Sequence, residues 1–239
     1  MMEELKVSPR DEAAENIEGY IALHKLLPHT RIPSERDLCE LWGFNRTTLR
    51  SAICRLIEEG KLYNKLGSGT FIAPPKVVRN LQDLKSLAEY SHEYGSILTS
   101  QVVSLTVLES NKKIAQKLRI PLGRKVYELV RIRAFDDEPT HIDTSYIEFE
   151  RFPDFERYDF SKESFYNILK TEYNVKIVGG EEKIGITYAS ALEAKLLSIP
   201  VETAIFFLNG FIWDEKEIPI EYFKSVVRSD KVRFASVLK

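Results

Sequence analysis

The stretch IPSERDLCELWGFNRTTLRSAICRLIEEGKLYNKLGSGTFI, residues 32–72, decides the fold of the N-terminal part of the chain. Pro33 and Ser34 form a helix-start signal, because a serine hydroxyl at the N-cap accepts a hydrogen bond from an otherwise unpaired amide. Gly43 ends this short helix, and Asn45 is placed to cap the next one, whose apolar residues recur at helical spacing. The stretch therefore predicts two consecutive helices separated by a tight turn.

A β-hairpin is predicted directly after the second helix. Residues 62–63 and 70–72 favour short strands, and a glycine-rich turn at 67–69 lets the backbone approach a phosphate closely. Before the quoted stretch, apolar residues between 17 and 27 recur at helical spacing and predict a further helix that ends before Pro28. Three helices and a hairpin are typical of a winged helix-turn-helix.

The composition limits the classes to which the protein can belong. The chain has 239 residues, of which 44% are hydrophobic and 29% charged, as in ordinary globular proteins of one or two domains. Cys39 and Cys54 are too few for a disulfide framework, and the histidines show no ligand spacing with them, so we predict no metal and no cofactor. Since no apolar run approaches the ~20 residues that span a bilayer, and the polar N-terminus is no signal peptide, we expect a cytoplasmic protein without membrane contact.

Arg46 and Arg50 lie one turn apart near the start of the second helix of the quoted stretch, with Thr47 beside them. The apolar stripe of the helix faces the other way. Repulsion between the arginines costs a few tenths of a kcal/mol, whereas a bidentate arginine contact with guanine discriminates by about 1–3 kcal/mol. The alternative is a solvated face of an ordinary helical bundle. The turn, the capped helix and the glycine-rich hairpin at suitable intervals favour DNA binding instead.

The C-terminal part of the chain contains a repeat. Residues 111–147 and 190–227 each contain a short helix, an Ile-Pro step, a strand, an acidic turn and a second strand. Further strands over 96–109 and 175–189 precede the two copies. Because hairpins favour antiparallel pairing, the pattern predicts an α+β domain with an antiparallel, pseudo-twofold sheet.

Pro74 and Pro75 break regular structure between the two patterns. We therefore assign residues 1–73 to the winged helix-turn-helix domain, 74–80 to a linker and 81–239 to the second domain.

Two arginines distinguish the first copy of the repeat from the second. Arg131 and Arg133 point to the same face of their strand, because strand side chains alternate. The aligned positions in the second copy are Gly210 and Ile212. Since one copy manages without arginines, we attribute the pair to an anionic ligand, whose phosphate or carboxylate oxygens fit guanidinium groups.

The quoted stretch resembles the DNA-binding module of the GntR family of bacterial transcription regulators. That family carries a Pro-Ser-Glu-Arg stretch, an Arg-x-Thr-x-Arg-like recognition helix and a Gly-x-Gly-Thr wing, which match residues 33–36, 46–50 and 67–70. Asn45 stands where the family usually has serine, and PHT at 28–30 replaces a common Pro-Gly pair. The resemblance implies that the wing glycines enter the minor groove. The DNA contacts that it implies are Arg36, Asn45, Arg46, Thr47, Thr48, Arg50, Lys65, Gly67, Ser68, Gly69 and Thr70.

Residues 80–239 resemble the effector-binding (UTRA) domain of the HutC branch of that family, which has a chorismate-lyase-like fold. The matching segments are RIR at 131–133, DTSYI at 143–147, SFY at 164–166, PIEY at 219–222 and RSDKVRF at 228–234. Members that bind phosphorylated sugars hold the phosphate with two arginines, the Ser-x-Tyr helix start and backbone amides. The effector site that the resemblance implies consists of Leu87, Ala88, Arg131, Arg133, Asp143, Tyr146, Ser164, Tyr166 and Glu221.

Two of these assignments have structural alternatives. For the arginine pair, the alternative is ion pairing with surface carboxylates such as Asp136 or Glu128. Tyr166 lies among apolar neighbours in the sequence, so core packing is an equal alternative for its ring.

Together these features predict a regulator, usually a repressor in this family, that binds a near-palindromic operator in double-stranded DNA as a homodimer. A small anionic metabolite would control it, a phosphorylated compound being preferred to an organic acid. Two other classes stay open. One is an enzyme acting on a small organic acid through the lyase-like domain, although no nucleophile-base pair is seen, and the other is an architectural DNA-binding protein without a ligand.

Overall fold

The computed structural model describes residues 8–83 and 85–236. The chain forms two compact units, residues 1–76 and 77–239, and each unit contains its own hydrophobic core. The first unit is the predicted winged helix-turn-helix. Its described residues form α1 (Pro9–Leu23), α2 (Glu35–Trp42), α3 (Arg46–Glu58), β1 (Leu62–Lys65) and β2 (Gly69–Ile72), and the two strands pair antiparallel.

Local hydrogen bonds fix the turn between α2 and α3. Ser34 and Asp37 form a capping box, in which each side chain accepts a hydrogen bond from the backbone amide of the other residue. Gly43 ends α2 with φ 75°, a left-handed conformation that glycine adopts without steric cost. The side-chain oxygen of Asn45 then accepts from the Thr48 amide at 2.8 Å and starts α3. The predicted caps are therefore present at both helix starts.

The first helix differs from its prediction at both ends. It begins at Pro9, well before its apolar stripe, because the Ser8 hydroxyl caps the helix and proline fits its first position. It ends at Leu23 rather than just before Pro28, and the backbone leaves the helix through Lys25, where φ is 48°. Apolar spacing alone predicts that the helix ends later in the chain than it does.

The apolar stripes of the three helices meet in one core. Leu49 and Ala52 of α3 are completely buried there. Burying a large aliphatic side chain contributes about 1.5–3 kcal/mol, so this stripe determines the rotation of α3 about its axis. The opposite face, which carries Arg46 and Arg50, is consequently exposed. The other buried members of the core are Ala13, Ala14, Ile17, Ile32, Leu38, Ile53, Leu56, Leu62 and Ile72.

The second unit is built around a six-stranded antiparallel sheet with the strand order β4-β5-β6-β9-β8-β7. The described residues of this unit form β3 (Val77–Asn80), α4 (Leu87–Tyr94), β4 (Leu98–Glu109), α5 (Lys112–Leu118), β5 (Lys125–Phe135), β6 (Glu138–Glu148), a 3-10 helix (Phe155–Arg157), α6 (Phe165–Thr171), β7 (Ile177–Tyr188), α7 (Ala191–Leu197), β8 (Ala204–Asp214), β9 (Pro219–Arg228) and β10 (Val232–Ala235).

The sheet has the predicted pseudo-twofold organisation. Strands β4-β5-β6 and β7-β8-β9 form two meanders, which join where β6 pairs antiparallel with β9. A register shift between Arg133 and Ala134 in the first meander recurs between Ile212 and Trp213 in the second. The two shifts fall at positions that the repeat aligns.

Gly210 shows why the second copy lacks an arginine at the position equivalent to Arg131. A Cβ atom at residue 210 would collide with the Glu181 carbonyl oxygen of the neighbouring strand, and it would lie 2.8 Å from the Phe223 ring. A long side chain has no room there. The space that holds a guanidinium group in one half of the sheet is closed in the other.

The two faces of the sheet have different surroundings. Helices α5 and α7 pack on β6 and β9, where Ile142, Tyr146, Tyr222 and Val226 contribute to two apolar clusters. Residues one position away on the same strands, such as Asp143, Ser145 and Ser225, point to the opposite face, because strand side chains alternate. That opposite face carries the polar residues described below.

Part of the expected linker is a strand. Residues 77–80 form β3, which pairs in parallel with β10 in the register Val77 to Val232. Tyr90 of α4 supports this strand, since its hydroxyl accepts a hydrogen bond from the Asn80 amide at 2.9 Å. The β-branched pair Val77-Val78 favours extended structure, but its partner strand lies at the far end of the chain.

Candidate functional sites: an arginine-bearing helix and a polar cavity

The first candidate site is the exposed face of α3 near its start. Arg46, Thr47 and Arg50 are exposed, Thr48 is half-buried, and Asn45 caps the helix. Within the part of the chain that the structure describes, neither arginine forms a hydrogen bond or an ion pair. Two guanidinium groups are thus presented to solvent one helical turn apart, at the end of the helix that also carries the positive end of its dipole.

Arg36 on α2 is exposed but has neighbours. Its guanidinium nitrogens lie 3.8 Å from carboxylate oxygens of Asp37 and of Glu40. Exposed ion pairs of this kind contribute about 0–1 kcal/mol. A phosphate can therefore replace these partners at little cost.

The wing is a short hairpin with an exposed tip. Lys65 pairs with Gly69 at its end, and the backbone passes through positive φ at Gly67 (71°) and Gly69 (111°). Ser68 is exposed between the two glycines, and the Thr70 hydroxyl donates to the Asn64 side-chain oxygen at 2.8 Å. The tip therefore combines a positive charge with exposed backbone at two glycines.

The second candidate site is a cavity of about 840 Å³ in the second unit. It lies over the polar face of the sheet. Every residue of the predicted effector site except Tyr146 lines it: Leu87, Ala88, Arg131, Arg133, Asp143, Ser164, Tyr166 and Glu221.

Tyr146 lies on the other face of the sheet. Its ring stacks on that of Tyr222 with a centroid separation of 5.5 Å, in the cluster that packs against α5. Asp143 and Ser145 point into the cavity, so alternation along β6 turns Tyr146 away from it. Its inclusion in the predicted site followed the DTSYI segment as a whole and ignored this alternation.

Arg131 and Arg133 bring two positive charges into the cavity. Neither forms an ion pair with a carboxylate among the described residues, although the Asp143 charge opposes the lowering of the Arg133 pKa. The Nε atoms of both are buried and have no hydrogen-bond partner among the described residues. Burial, together with the neighbouring Arg131 charge, lowers the pKa of Arg133 to about 10, so it is still charged at neutral pH. A buried cation without a partner costs free energy that an anion can offset.

The alternative of surface ion pairs does not describe these arginines. Asp136 instead accepts a hydrogen bond from the Ile97 amide at 2.8 Å. Glu128 is hydrogen-bonded by Tyr146, on the far side of the sheet. The guanidinium of Arg131 lies over the Phe165 ring at 5.4 Å, which orients it without neutralising it.

Carboxylates form another part of the cavity wall. Glu221 is buried and accepts a hydrogen bond from the Tyr166 hydroxyl at 2.9 Å. Burial raises the pKa of Glu221, while hydrogen bonds from Ser145 and Tyr166 oppose the rise. Asp143 accepts a hydrogen bond from the Ser225 hydroxyl. The Tyr166 ring packs against the core, as its alternative interpretation predicts, while its contact with a ligand stays a prediction.

Helix starts complete the wall. Leu87 and Ala88 lie in the first turn of α4, where backbone amides have no partner within the helix. Ser164 caps α6 by accepting from the Asn167 amide at 3.5 Å. Its hydroxyl hydrogen is still available to a ligand, because a hydroxyl both donates and accepts.

Several residues that line the cavity were not predicted, among them Arg79, His141, Ser145, Trp213 and Ser225. His141 and Ser145 are two residues away from Asp143 on either side, so strand alternation alone could have identified them. Arg79 lies on β3 and forms a salt bridge of 2.9 Å with Glu182. No sequence signal places it here, because β3 was assigned to the linker.

No group of three or more histidine, cysteine, aspartate or glutamate side chains is arranged to hold a metal ion in 8–83 or 85–236. No helix within these ranges combines the length and the apolar character needed to cross a membrane.

Two protein-family models match the chain. The model described as "Bacterial regulatory proteins, gntR family" matches residues 9–72, and the model described as "UTRA domain" matches residues 93–233.

Relatives with assigned roles align over most of their length. The HTH-type transcriptional repressor NagR of Bacillus subtilis is 27% identical over 220 residues, which cover 92% of this chain and 90% of the relative. The probable fructoselysine utilization operon transcriptional repressor of Escherichia coli K12 is 27% identical over 202 residues, covering 84% and 83%. The crystal structure of PhnF from Mycobacterium smegmatis superposes with a TM-score of 0.70 at 23% identity, covering 97% of this chain and 99% of the other, and supports the fold.

Proposed function

Because the chain belongs to the gntR family of bacterial regulatory proteins, carries a UTRA domain and is a transcription regulator rather than an enzyme, we propose that it is a repressor whose binding to operator DNA is controlled by a small anionic metabolite. The observation that carries the proposal is the pair Arg131 and Arg133. Both line a cavity of about 840 Å³, and the buried Nε atom of each has no partner among the described residues. An anion in this cavity satisfies both charges.

DNA is read by α3 and the wing in this proposal. Arg46 and Arg50 are exposed, and a guanidinium fork pairs with O6 and N7 of guanine in the major groove. Thr47 and Thr48 suit phosphate or a thymine methyl group. Lys65 and the backbone at 67–70 approach the phosphates or the minor groove.

Two protomers bind one operator in this proposal. A homodimer has twofold symmetry, so its operator is near-palindromic, with one recognition helix and one wing on each half-site. We expect half-site centres one helical turn, about 34–36 Å, or a multiple of it apart.

The ligand carries an anionic group at one end and hydrogen-bond donors elsewhere. Arg131 and Arg133 suit the former, whereas the carboxylates of Asp143 and Glu221 accept hydrogen bonds. A phosphorylated sugar has both kinds of group, and a cavity of about 840 Å³ is large enough to enclose one. The name of one relative refers to the use of fructoselysine, a sugar derivative, which supports this class of ligand.

Control of DNA binding requires that the ligand binds the DNA-competent and the DNA-incompetent states with different affinity. The ratio of the two affinities sets the largest change in DNA affinity that the ligand can cause, and changes of about 5–150-fold are usual. A ligand that binds both states equally changes nothing, however tightly it binds.

The DNA-binding part of the proposal is tested by selection from random duplexes. We expect the wild-type protein to enrich a near-palindromic sequence, and an Arg46→Ala/Arg50→Ala variant with an unchanged melting temperature to lose binding to it. Retention of full affinity by that variant would show that α3 does not read the DNA. The ligand part is tested by thermal shift with phosphorylated sugars and small organic acids, compared between the wild-type protein and Arg133→Ala.

A further inference from the structure

Arg31, which was not among the predicted DNA contacts, lies on a third strand-like segment of the wing. The Ile32 amide donates to the Thr70 carbonyl at 3.0 Å, and the Ile72 amide donates to the Thr30 carbonyl at 2.9 Å. Arg31 itself forms an isolated antiparallel bridge with Phe71. The segment before α2 is thus hydrogen-bonded to β2 and places Arg31 beside the wing.

The guanidinium of Arg31 lies against the backbone of Gly69. A Cβ atom built at residue 69 would lie 2.7 Å from Arg31 Nε and 3.3 Å from both Cζ and Nη2. Real Cβ atoms do not approach so closely, so this position of the guanidinium depends on the missing side chain. Gly69 therefore has a steric role in addition to its positive φ.

Arg31 has no partner within the described residues. It is exposed and forms neither a hydrogen bond nor an ion pair there. By contrast, Arg55 in the same unit is bonded to Asp11 and, at 2.7 Å, to Glu59. The pKa of Asp37 is lowered mainly by hydrogen bonds with Ser34, and Arg31 acts on it only as a distant charge.

We infer that Arg31 binds a DNA phosphate next to the wing and that the missing side chain at Gly69 leaves room for its guanidinium there. The inference rests on the proposed DNA-binding function. A guanidinium fork is suited to phosphate oxygens, and a backbone contact adds affinity without reading sequence. Together with Lys65 it supplies positive charge on both sides of the wing tip.

The experiment measures binding of a labelled duplex by fluorescence anisotropy between about 50 and about 200 mM salt. The duplex is the sequence that the wild-type protein enriches from a random pool, and a scrambled duplex serves as the non-specific probe. Arg31→Ala, Arg31→Lys and Arg10→Ala are compared after their melting temperatures have been checked. Arg10 is the matched control, because it is an exposed arginine of the same unit. Its neighbour Asp11 contacts Arg55, which lies towards the end of α3 opposite to Arg46.

We expect Arg31→Ala to weaken binding to both duplexes by the same factor, about tenfold. The slope of log K against log salt should become less negative by about 0.9, the value for one phosphate contact. Arg31→Lys keeps the charge and should recover the slope, and Arg10→Ala should bind like the wild-type protein.

Gly69→Ala provides a second test, because its methyl group displaces the guanidinium. Its melting temperature is checked first, since alanine is strained at φ 111°. We expect Arg31→Ala to cause less than a twofold further loss in the Gly69→Ala background, since residues that share one interaction are not additive. Additive losses, or an unchanged salt slope for Arg31→Ala, would overturn the inference while leaving the proposed function intact. If the wild-type protein enriches no sequence and binds neither duplex, the proposed function itself fails.

Discussion

At the scale of single residues, buried charge is the property that most constrains the second unit. Arg131 is 5% exposed, and its Nε atom and that of Arg133 have no partner within the described ranges. Asp143 attracts Arg133 and Glu221 attracts Arg131, but neither arginine forms an ion pair among the described residues, so the desolvation of the guanidinium groups is offset only in part. The arginines are therefore better explained by binding than by stability.

Replacing Arg133 with methionine should separate these two properties. Because an apolar side chain of similar length removes an unpaired buried charge, we expect Arg133→Met to keep or raise the free energy of unfolding by about 1 kcal/mol. It should at the same time lose stabilisation by any phosphorylated ligand. Urea unfolding and thermal shift measure the two effects, and Arg124→Met, which removes an exposed arginine paired with Glu150, is the control. A strongly destabilised Arg133→Met would mean that Arg133 has a structural role.

His141 should make stability depend on pH. Burial, opposed by the Asp143 charge and reinforced by those of Arg79 and Arg133, lowers its pKa to about 4. The unfolded chain binds a proton at this residue below its ordinary pKa of 6.5, whereas the folded chain does not until about 4. Stability is therefore flat above this window and falls as the pH drops through it, by up to about 3 kcal/mol.

The measurement compares urea unfolding between about pH 4 and pH 6.5 for the wild-type protein, His141→Asn and His92→Asn. We expect His141→Asn to lose less stability on acidification than the wild-type protein, because it has no imidazole to protonate. His92→Asn makes the same substitution at an exposed histidine on α4 and serves as the control. Parallel curves for the wild-type protein and His141→Asn would contradict the expected buried, neutral imidazole.

The alternation of side chains along a strand is the rule by which the sequence predicts polar residues of the cavity. It correctly put Arg131 and Arg133 on one face, and it would have excluded Tyr146 and included His141 had it been applied to β6. The alternation rule does not identify Arg31. Its position depends on hydrogen bonds to β2 and on the absence of a side chain at Gly69, and neither is a property of neighbouring residues.

At the scale of elements, helix caps define the DNA-binding unit. Ser34 caps α2 in a box with Asp37, and Gly43 and Asn45 follow within the turn. We expect Ser34→Ala to lower the free energy of unfolding by about 1 kcal/mol, because one helix amide loses its acceptor. Ser51→Ala is the control, since Ser51 is exposed within α3 and alanine is the better helix former. Equal effects of the two substitutions on chemical unfolding would argue against the cap.

Elements whose signals are local were predicted, and those that depend on distant partners were not. The caps of α2 and α3, the hairpin of the wing and the two meanders all follow from residues close together in the chain. Strands β3 and β10 have four residues each and pair with one another, although almost the whole sequence of the second unit separates them. Such short segments carry too few residues for a periodic pattern, so the sequence alone does not distinguish β3 from a linker.

At the scale of the whole molecule, the two copies of the repeat in the second unit have the same fold but different side chains over the cavity. Both meanders supply the antiparallel sheet, but only the first has room for arginines over the cavity, because the Glu181 backbone fills the position beside Gly210. The repeat thus gives the second unit its fold, and the differences between its copies give it a polar cavity. The exposed cations of α3 belong to a unit with a separate core.

The most direct measurement is the affinity for the selected duplex, determined by fluorescence anisotropy with and without phosphorylated sugars, for the wild-type protein and for Arg133→Met. We expect at least one such compound to change the affinity of the wild-type protein by about 5- to 150-fold. Arg133→Met should bind the duplex equally well in the absence of these compounds and should not respond to them. An equal response of both proteins would contradict the assignment of the cavity as the regulatory site.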